Sequence, residues 1–186
     1  MNPTILYLGR LKQYKGVDHL LSIVPDLRRH FPDLRVEIAG IGDALPALRH
    51  QAEKLAISDG VSFHGRVDDA ERLRLYQEAW VTCLPSFKEG FGLTIPEAAL
   101  CETPTVGYDV PGIRDAIGEG KTGRLVPYGD RRALCEGLRE ILGSDSLRAK
   151  LGTQARSHYA NFSWENAANQ MEDYLLGRIE RGENIP

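Results

Sequence analysis

"VTCLPSFKEGFGLTIPEAALCETPTVGYD", residues 81–109, decides how the rest of the chain is read. It opens on a short apolar run, "VTCLP" (81–85), and closes on another, "PTVGYD" (104–109). Between them a polar, glycine-bearing loop leads into "IPEAALC" (95–101), which has a helical pattern. Short runs that are apolar on both faces suit strands covered on both sides, so strand, loop, helix, strand is the repeating unit of a parallel sheet.

The same unit recurs outward in both directions. "TILYLG" (4–9) precedes "VDHLLSIVPDLRRH" (17–30), "LRVEIAG" (34–40) precedes "ALPALRHQAEKLA" (44–56), and "VSFHG" (61–65) precedes "DAERLRLYQEAW" (69–80). After residue 109 come a short helix near "GIRDAIGEG", a last strand "GRLVP" (123–127), and three helical segments over 132–143, 144–162 and 163–182. The economical architecture is α/β: a Rossmann-like, doubly wound parallel sheet of about six strands flanked by helices, with C-terminal helices added. At 186 residues and 42% hydrophobic content the chain supports one core, so residues 1–186 are expected to form a single domain.

Charge and cysteine content exclude several function classes. A net charge of −3 without a basic stripe gives no footprint for nucleic acid. No apolar run approaches the roughly 20 residues of a membrane span, and no signal-peptide pattern opens the chain, so a cytoplasmic location is expected. Cys83, Cys101 and Cys135 show no metal-ligand or redox spacing, and neither disulfides nor a metal are expected. His19, His30, His50, His64 and His158 are scattered and are read as surface or packing residues.

In such a sheet ligands bind where the loops leave the carboxyl ends of the strands. The first of these loops, "GRLKQYKG" (9–16), carries Arg10 and Lys15, a forked donor and a point charge suited to adjacent phosphates, or simply two solvated charges. The second, "GIGD" (40–43), lacks the third glycine of a dinucleotide fingerprint, since Leu45 stands there, and reads as a turn with close backbone approach. The fourth holds Glu89 and Glu97, eight positions apart, around Gly90, Phe91 and Gly92. Thr94-Ile95-Pro96-Glu97 fits a capping box with Thr94 as cap, which accounts for Glu97 structurally but leaves Glu89 and the glycines unexplained. Glycines on both sides of Phe91 let backbone N–H groups converge before a helix, an arrangement that suits an anion. A carboxylate beside an anion is unfavourable, so Glu89 makes better sense accepting from neutral hydroxyls, as on a sugar, with Glu97 doing the same for a ribose.

Together "GRLKQYKG", "EGFGLTIPEAA" with its E-x7-E spacing, "VSFHGRVDDAERLRLYQEAWVTCLPS" and the late "FSW" (162–164) resemble the carboxyl-terminal, donor-binding half of GT-B fold glycosyltransferases of the family 4, or group 1, type. The resemblance implies a retaining, metal-independent hexosyltransferase whose donor is a nucleotide-diphospho-sugar such as a UDP- or GDP-sugar, with no other cofactor. It assigns Arg10 and Lys15 to the donor diphosphate, the backbone of Phe91, Gly92 and Leu93 to phosphate and sugar, Glu89 to sugar hydroxyls, and Glu97 to the ribose. Gly9 and Thr94 join the binding set, and Arg66 and Val67 lie along the nucleobase. One departure is Arg114-Asp115 after Gly112-Ile113, where a Pro-Glu pair is common.

Such enzymes place an acceptor-binding domain ahead of this one, whereas Met1 stands just before the first strand. The chain is therefore expected to be one half of an enzyme, inactive without its N-terminal partner domain, and the resemblance allows a membrane-associated acceptor in the full enzyme. The other readings are a stand-alone nucleotide-sugar-binding or regulatory domain and half of a sugar-nucleotide epimerase; the paired glutamates argue against the epimerase. In the segment 163–182 Ser163 is the expected N-cap. Trp164 is expected to pack on the sheet domain, with Met171, Tyr174, Leu175 and Ile179 partly exposed.

Overall fold

The structure, a computed structural model, describes residues 2–118, 120 and 122–180, with no side-chain description for 178–180. Six parallel strands form one sheet: β1 (Thr4–Leu8), β2 (Arg35–Ala39), β3 (Val61–Gly65), β4 (Val81–Leu84), β5 (Thr105–Tyr108) and β6 (Gly123–Val126), in the order β3-β2-β1-β4-β5-β6. Burial follows this order. The inner strands β4 and β5 are buried at every position, Thr82 and Thr105 included, while the edge strands β3 and β6 carry half-exposed or exposed residues such as Ser62 and Arg124.

The helices are α1 (Val17–Arg28), α2 (Leu45–Lys54), α3 (Asp69–Glu78), α4 (Thr94–Leu100), α5 (Pro111–Ile117), α6 (Arg131–Leu142), α7 (Asp145–Tyr159) and α8 (Trp164–Glu180). Helices α1, α2 and α6 neighbour one another on one face of the sheet, and α3, α4 and α5 on the other, with α7 running from α6 to α4. Helical spacing explains the docking: α1 buries Val17, Leu20, Leu21, Val24 and Leu27, and α6 buries Leu134, Leu138, Ile141 and Leu142. Side-chain caps start α3, α6 and α7, with Asp68, Asp130 and Ser144 accepting from the backbone N–H groups of Glu71, Ala133 and Leu147.

The terminal helix departs from expectation at its start. Ser163 Oγ does accept from Asn166 N at 3.1 Å, but Trp164 is 86% exposed, so it is not a core residue. The helical period of α8 is real, but residues 164–174 are all exposed. Met171 and Tyr174 are exposed and Leu175 is half-buried, as expected, while the Ile179 side chain and residues 181–182 lie outside the described residues. No described helix is long and apolar enough to cross a membrane.

Candidate functional site

Strand order reverses between β1 and β4, which pair directly through Ile5–Val81 and Leu6–Thr82. The loops after these two strands diverge to opposite faces of the sheet and leave a crevice between them. Into it the sequence sends the two loops singled out above.

After β1 the chain forms a 3-10 turn over Gln13–Lys15, closed by Gly16 in the left-handed region (φ 67°). The turn tucks Lys15 inward until it is only 8% exposed, and its Nζ donates to Glu89 Oε2 at 2.5 Å. The solvated reading is thereby excluded for Lys15. Arg10 is exposed, and its Nη2 donates to the Tyr14 hydroxyl at 3.0 Å. Tyr14 O accepts from Phe87 N at 2.7 Å, so the first loop is stitched to the fourth by backbone as well as by charge. Below them Tyr7 donates its hydroxyl to Arg10 O; burial pushes its phenol well above the usual range, and the nearby Glu89 charge adds to the shift. Arg10, Tyr14, Lys15, Lys88, Glu89 and Gly90 line one open cavity of about 510 Å³. Three cations there face one carboxylate.

The fourth loop turns at Gly92, whose φ of 72° is the conformation a side chain resists. Gly90 has an ordinary φ and open space where a Cβ would stand, so the two glycines flanking Phe91 are not equivalent. The expected cap is corrected: Leu93 occupies the N-cap position, Thr94 is the first helical residue, and neither makes a side-chain cap bond. The turn at Gly92 brings its own carbonyl to Ile95 N at 2.8 Å, which leaves Thr94 no capping role. Nor does Glu97 reach back to a cap. It accepts from the Tyr76 hydroxyl at 2.9 Å and lies 3.5 Å from Arg72 Nη1. Burial, reinforced by the Glu97 charge, pushes the Tyr76 phenol far up, which keeps it a donor to that carboxylate.

At the end of β3, Arg66 is exposed and Val67 packs against the cluster of Leu6, Ala39, Leu75, Tyr76, Ala79 and Ala98, whose Tyr76 donates to Glu97. The "GIGD" loop closes onto the first loop as a packing turn: Leu11 N donates to Ile41 O at 2.9 Å and Lys12 Nζ to Asp43 Oδ2 at 2.9 Å. The structure thus brings Arg10, Lys15 and Glu89 together at the crevice, with Gly9 and Phe91–Thr94 on the loops that form it, and sets Glu97 against Tyr76 and Arg72 on the α3 side. Among the described residues no group of three or more His, Cys, Asp and Glu stands close enough together to hold a metal.

Three features escaped the sequence reading. Gly112, in the first turn of α5, comes so close to the fourth loop that a Cβ on it would lie 2.3 Å from Gly90 O and 2.4 Å from Glu89 O. Its glycine–aliphatic context was visible; the partner was not. Arg114 turns away to pair with Asp109 at 2.6 Å. At the β5 and β6 end of the same edge, His19 Nδ1 lies 2.7 Å from the Tyr108 hydroxyl and its ring packs edge-on against Phe87. This histidine ties α1 to two strand ends, and its position at the start of a helix after a site loop was the only available signal.

Comparison with known proteins agrees with this geometry. A family profile described as "Glycosyl transferases group 1" matches residues 1–158. A D-inositol 3-phosphate glycosyltransferase of Corynebacterium urealyticum is 35% identical over 172 residues, covering 89% of this chain and 41% of the relative. Among solved structures, sucrose-phosphate synthase from Thermosynechococcus elongatus superposes with a TM-score of 0.82 at 28% identity, over 97% of this chain and 46% of that one. Anabaena Alr3699/HepE, solved in complex with UDP, superposes at 0.85 with 21% identity, over 95% and 49%, and supports the fold. The chain spans less than half the length of these relatives, and its fold is that of GT-B glycosyltransferases. On the family match, the chain belongs to the group 1 glycosyl transferases.

Proposed function

We propose that this chain is the donor-binding half of a retaining, metal-independent hexosyltransferase that takes a nucleotide-diphospho-sugar. The observation that carries the reading is the buried Lys15–Glu89 pair at the β1/β4 crevice, in a cavity that Arg10 and Lys88 also line. Cations in excess of carboxylates suit a diphosphate, and a carboxylate held rigidly by a lysine suits sugar hydroxyls as acceptor. Lys15 then serves two neighbours at once, holding Glu89 in place and lending its remaining N–H groups to phosphate oxygens.

In this scheme Arg10, Lys15 and Lys88 stabilise the negative charge that grows on the departing diphosphate, the task a divalent cation would otherwise perform. The backbone of Phe91, Gly92 and Leu93, with Gly9 and Thr94, lines the phosphate and sugar path. Glu97, fixed by Tyr76 and Arg72, accepts from the ribose hydroxyls, and Arg66 and Val67 lie along the base. A UDP complex of a fold neighbour supports this donor class, and the relatives' names support sugar transfer. The acceptor belongs to a further domain, in keeping with the share of the relatives that this chain spans. A donor of this kind also agrees with a cytoplasmic setting.

The test is calorimetric titration of the 186-residue chain with UDP, GDP and their sugar conjugates. Saturable binding of one nucleoside diphosphate is expected, and no saturable binding by any of them refutes the proposal. The same chain is expected not to transfer sugar at an enzymatic rate, because holding donor and acceptor together contributes roughly 7–11 kcal/mol of barrier lowering. Multiple-turnover transfer by the purified chain would overturn the assignment of the acceptor site to another domain.

A further inference from the structure

The ring of Phe91 does not point freely into solvent. It stacks on Phe162, with ring centroids 5.8 Å apart and planes inclined by 12°. Phe162 lies some 70 residues further along the chain, in the short link between α7 and α8, and is itself firmly seated. Its backbone N–H bonds Tyr159 O at 2.9 Å, and its ring meets the Tyr159 ring edge-on at 5.2 Å. Tyr159 is 4% exposed and donates its hydroxyl to Ala116 O of α5 at 2.6 Å. The link is further set by Ser163 Oγ and by Asn166 Nδ2, which donates to Asn161 O at 2.6 Å.

The fourth loop is therefore gripped from two sides. Gly112 of α5 abuts the carbonyls of Glu89 and Gly90, and the Phe162 ring covers that of Phe91. Directly after these two contacts comes the turn at Gly92, which has no side chain to anchor it. Without the stack, Phe91 would be a large exposed ring on a glycine-flanked loop, an arrangement that moves readily. From this geometry we infer that Phe162 is a positioning residue: by stacking on Phe91 it holds the Gly90–Leu93 backbone in the orientation that receives the donor's phosphate and sugar. Offset aromatic stacks are favoured at such centroid distances, and the Tyr159 anchor carries the constraint into the buried packing of α7 against α4 and α5.

The inference rests on the donor reading for its consequence but not for its test, since loop order is measured without ligand. Hydrogen exchange over residues 88–94 is compared in the wild-type chain, Phe162→Ala, Phe162→Leu and Phe162→Tyr. Phe162 is 48% exposed, so each variant is expected to fold with a native melting temperature. Exchange in this window is expected to rise by tenfold or more in Phe162→Ala and Phe162→Leu and to stay at the wild-type rate in Phe162→Tyr, which keeps the stack. Nucleoside diphosphate affinity is then expected to fall about tenfold in the first two variants, with binding of the bare nucleoside unchanged. Wild-type exchange in Phe162→Ala, or equal losses for diphosphate and nucleoside, would overturn the positioning role. Failure of the wild-type chain to bind any nucleoside diphosphate would sink the donor reading alone, and the exchange comparison would still decide the role of Phe162.

Discussion

Substituting Gly112 by alanine tests how tightly the candidate site is supported from behind. A Cβ at this position would stand 2.3 Å from Gly90 O and 2.4 Å from Glu89 O, both of them backbone atoms. Restoring an ordinary contact requires a shift of about 1 Å, and a side-chain rotation cannot supply it. Overpacking of this kind costs about 1–3 kcal/mol. Replacing glycine by alanine inside a helix returns about 1 kcal/mol, because Gly112 has no positive φ to preserve. The net loss of stability is therefore about 0–2 kcal/mol, and the domain stays folded. Binding is affected more, since the displaced atoms carry Glu89 and a misplacement of about 1 Å at a reacting centre can cost on the order of a hundredfold. Thermal denaturation paired with calorimetry against a nucleotide sugar reads both quantities. Affinity for the sugar-bearing donor should drop at least tenfold while the melting temperature falls by a few degrees. Unchanged affinity in a folded Gly112→Ala protein would show that the α5 contact does not set the position of Glu89.

Breaking the Lys15–Glu89 pair with Lys15→Met should destabilise the fold by about 3–5 kcal/mol, because it strands a mostly buried carboxylate, and adding Glu89→Gln should recover part of that loss; strictly additive effects in urea denaturation would show that the pair is not coupled. Ser86 is fully buried and its hydroxyl finds no partner among the described residues, so Ser86→Ala should leave stability unchanged or raise it by about 1 kcal/mol, and a clear loss would contradict an unbonded hydroxyl. Burial, and then the Arg131 charge, holds the His19 imidazole below its usual range, with Asp18 opposing. The neutral ring thus contributes stability that is full above about pH 6.5 and is lost as pH falls through the lower folded value. Melting curves from pH 8 to about pH 5 should show this loss, with His19→Gln flattening it, and a His19→Gln protein that keeps the wild-type slope would contradict the assignment.

Much of this molecule is legible in its sequence, for identifiable reasons. The alternation of short apolar runs with 3.6-period helices yields the element order directly, since β4 and β5 are buried on both faces and α1 and α6 on one. Lys15 and Glu89 were each marked as site residues by their loops, but their contact was invisible, because 74 residues separate them and only the sheet order brings them together. The grip of Gly112 and Phe162 on the fourth loop was hidden in the same way. Local rules failed in two instructive places. Thr94 has the chemistry of a cap, but the turn at Gly92 leaves nothing for it to cap. Trp164 has the period of a core residue, but period alone does not say whether a surface lies opposite, and none of the described residues covers it.

The separation of Lys15 and Glu89 also bears on how the molecule assembles. Strand β2 can pair with β1, and β3 with β2, by successive short crossovers, whereas β1 meets β4 only after all the intervening chain has found its place. Closing so long a loop is entropically costly and tends to come late, so the ion pair is a seam joining two halves of the sheet rather than a nucleus from which either half grows. A nucleotide that grips both loops would therefore act as a clasp across that seam. Its binding would report a finished sheet, and a partly assembled chain would give no signal, however well formed either half.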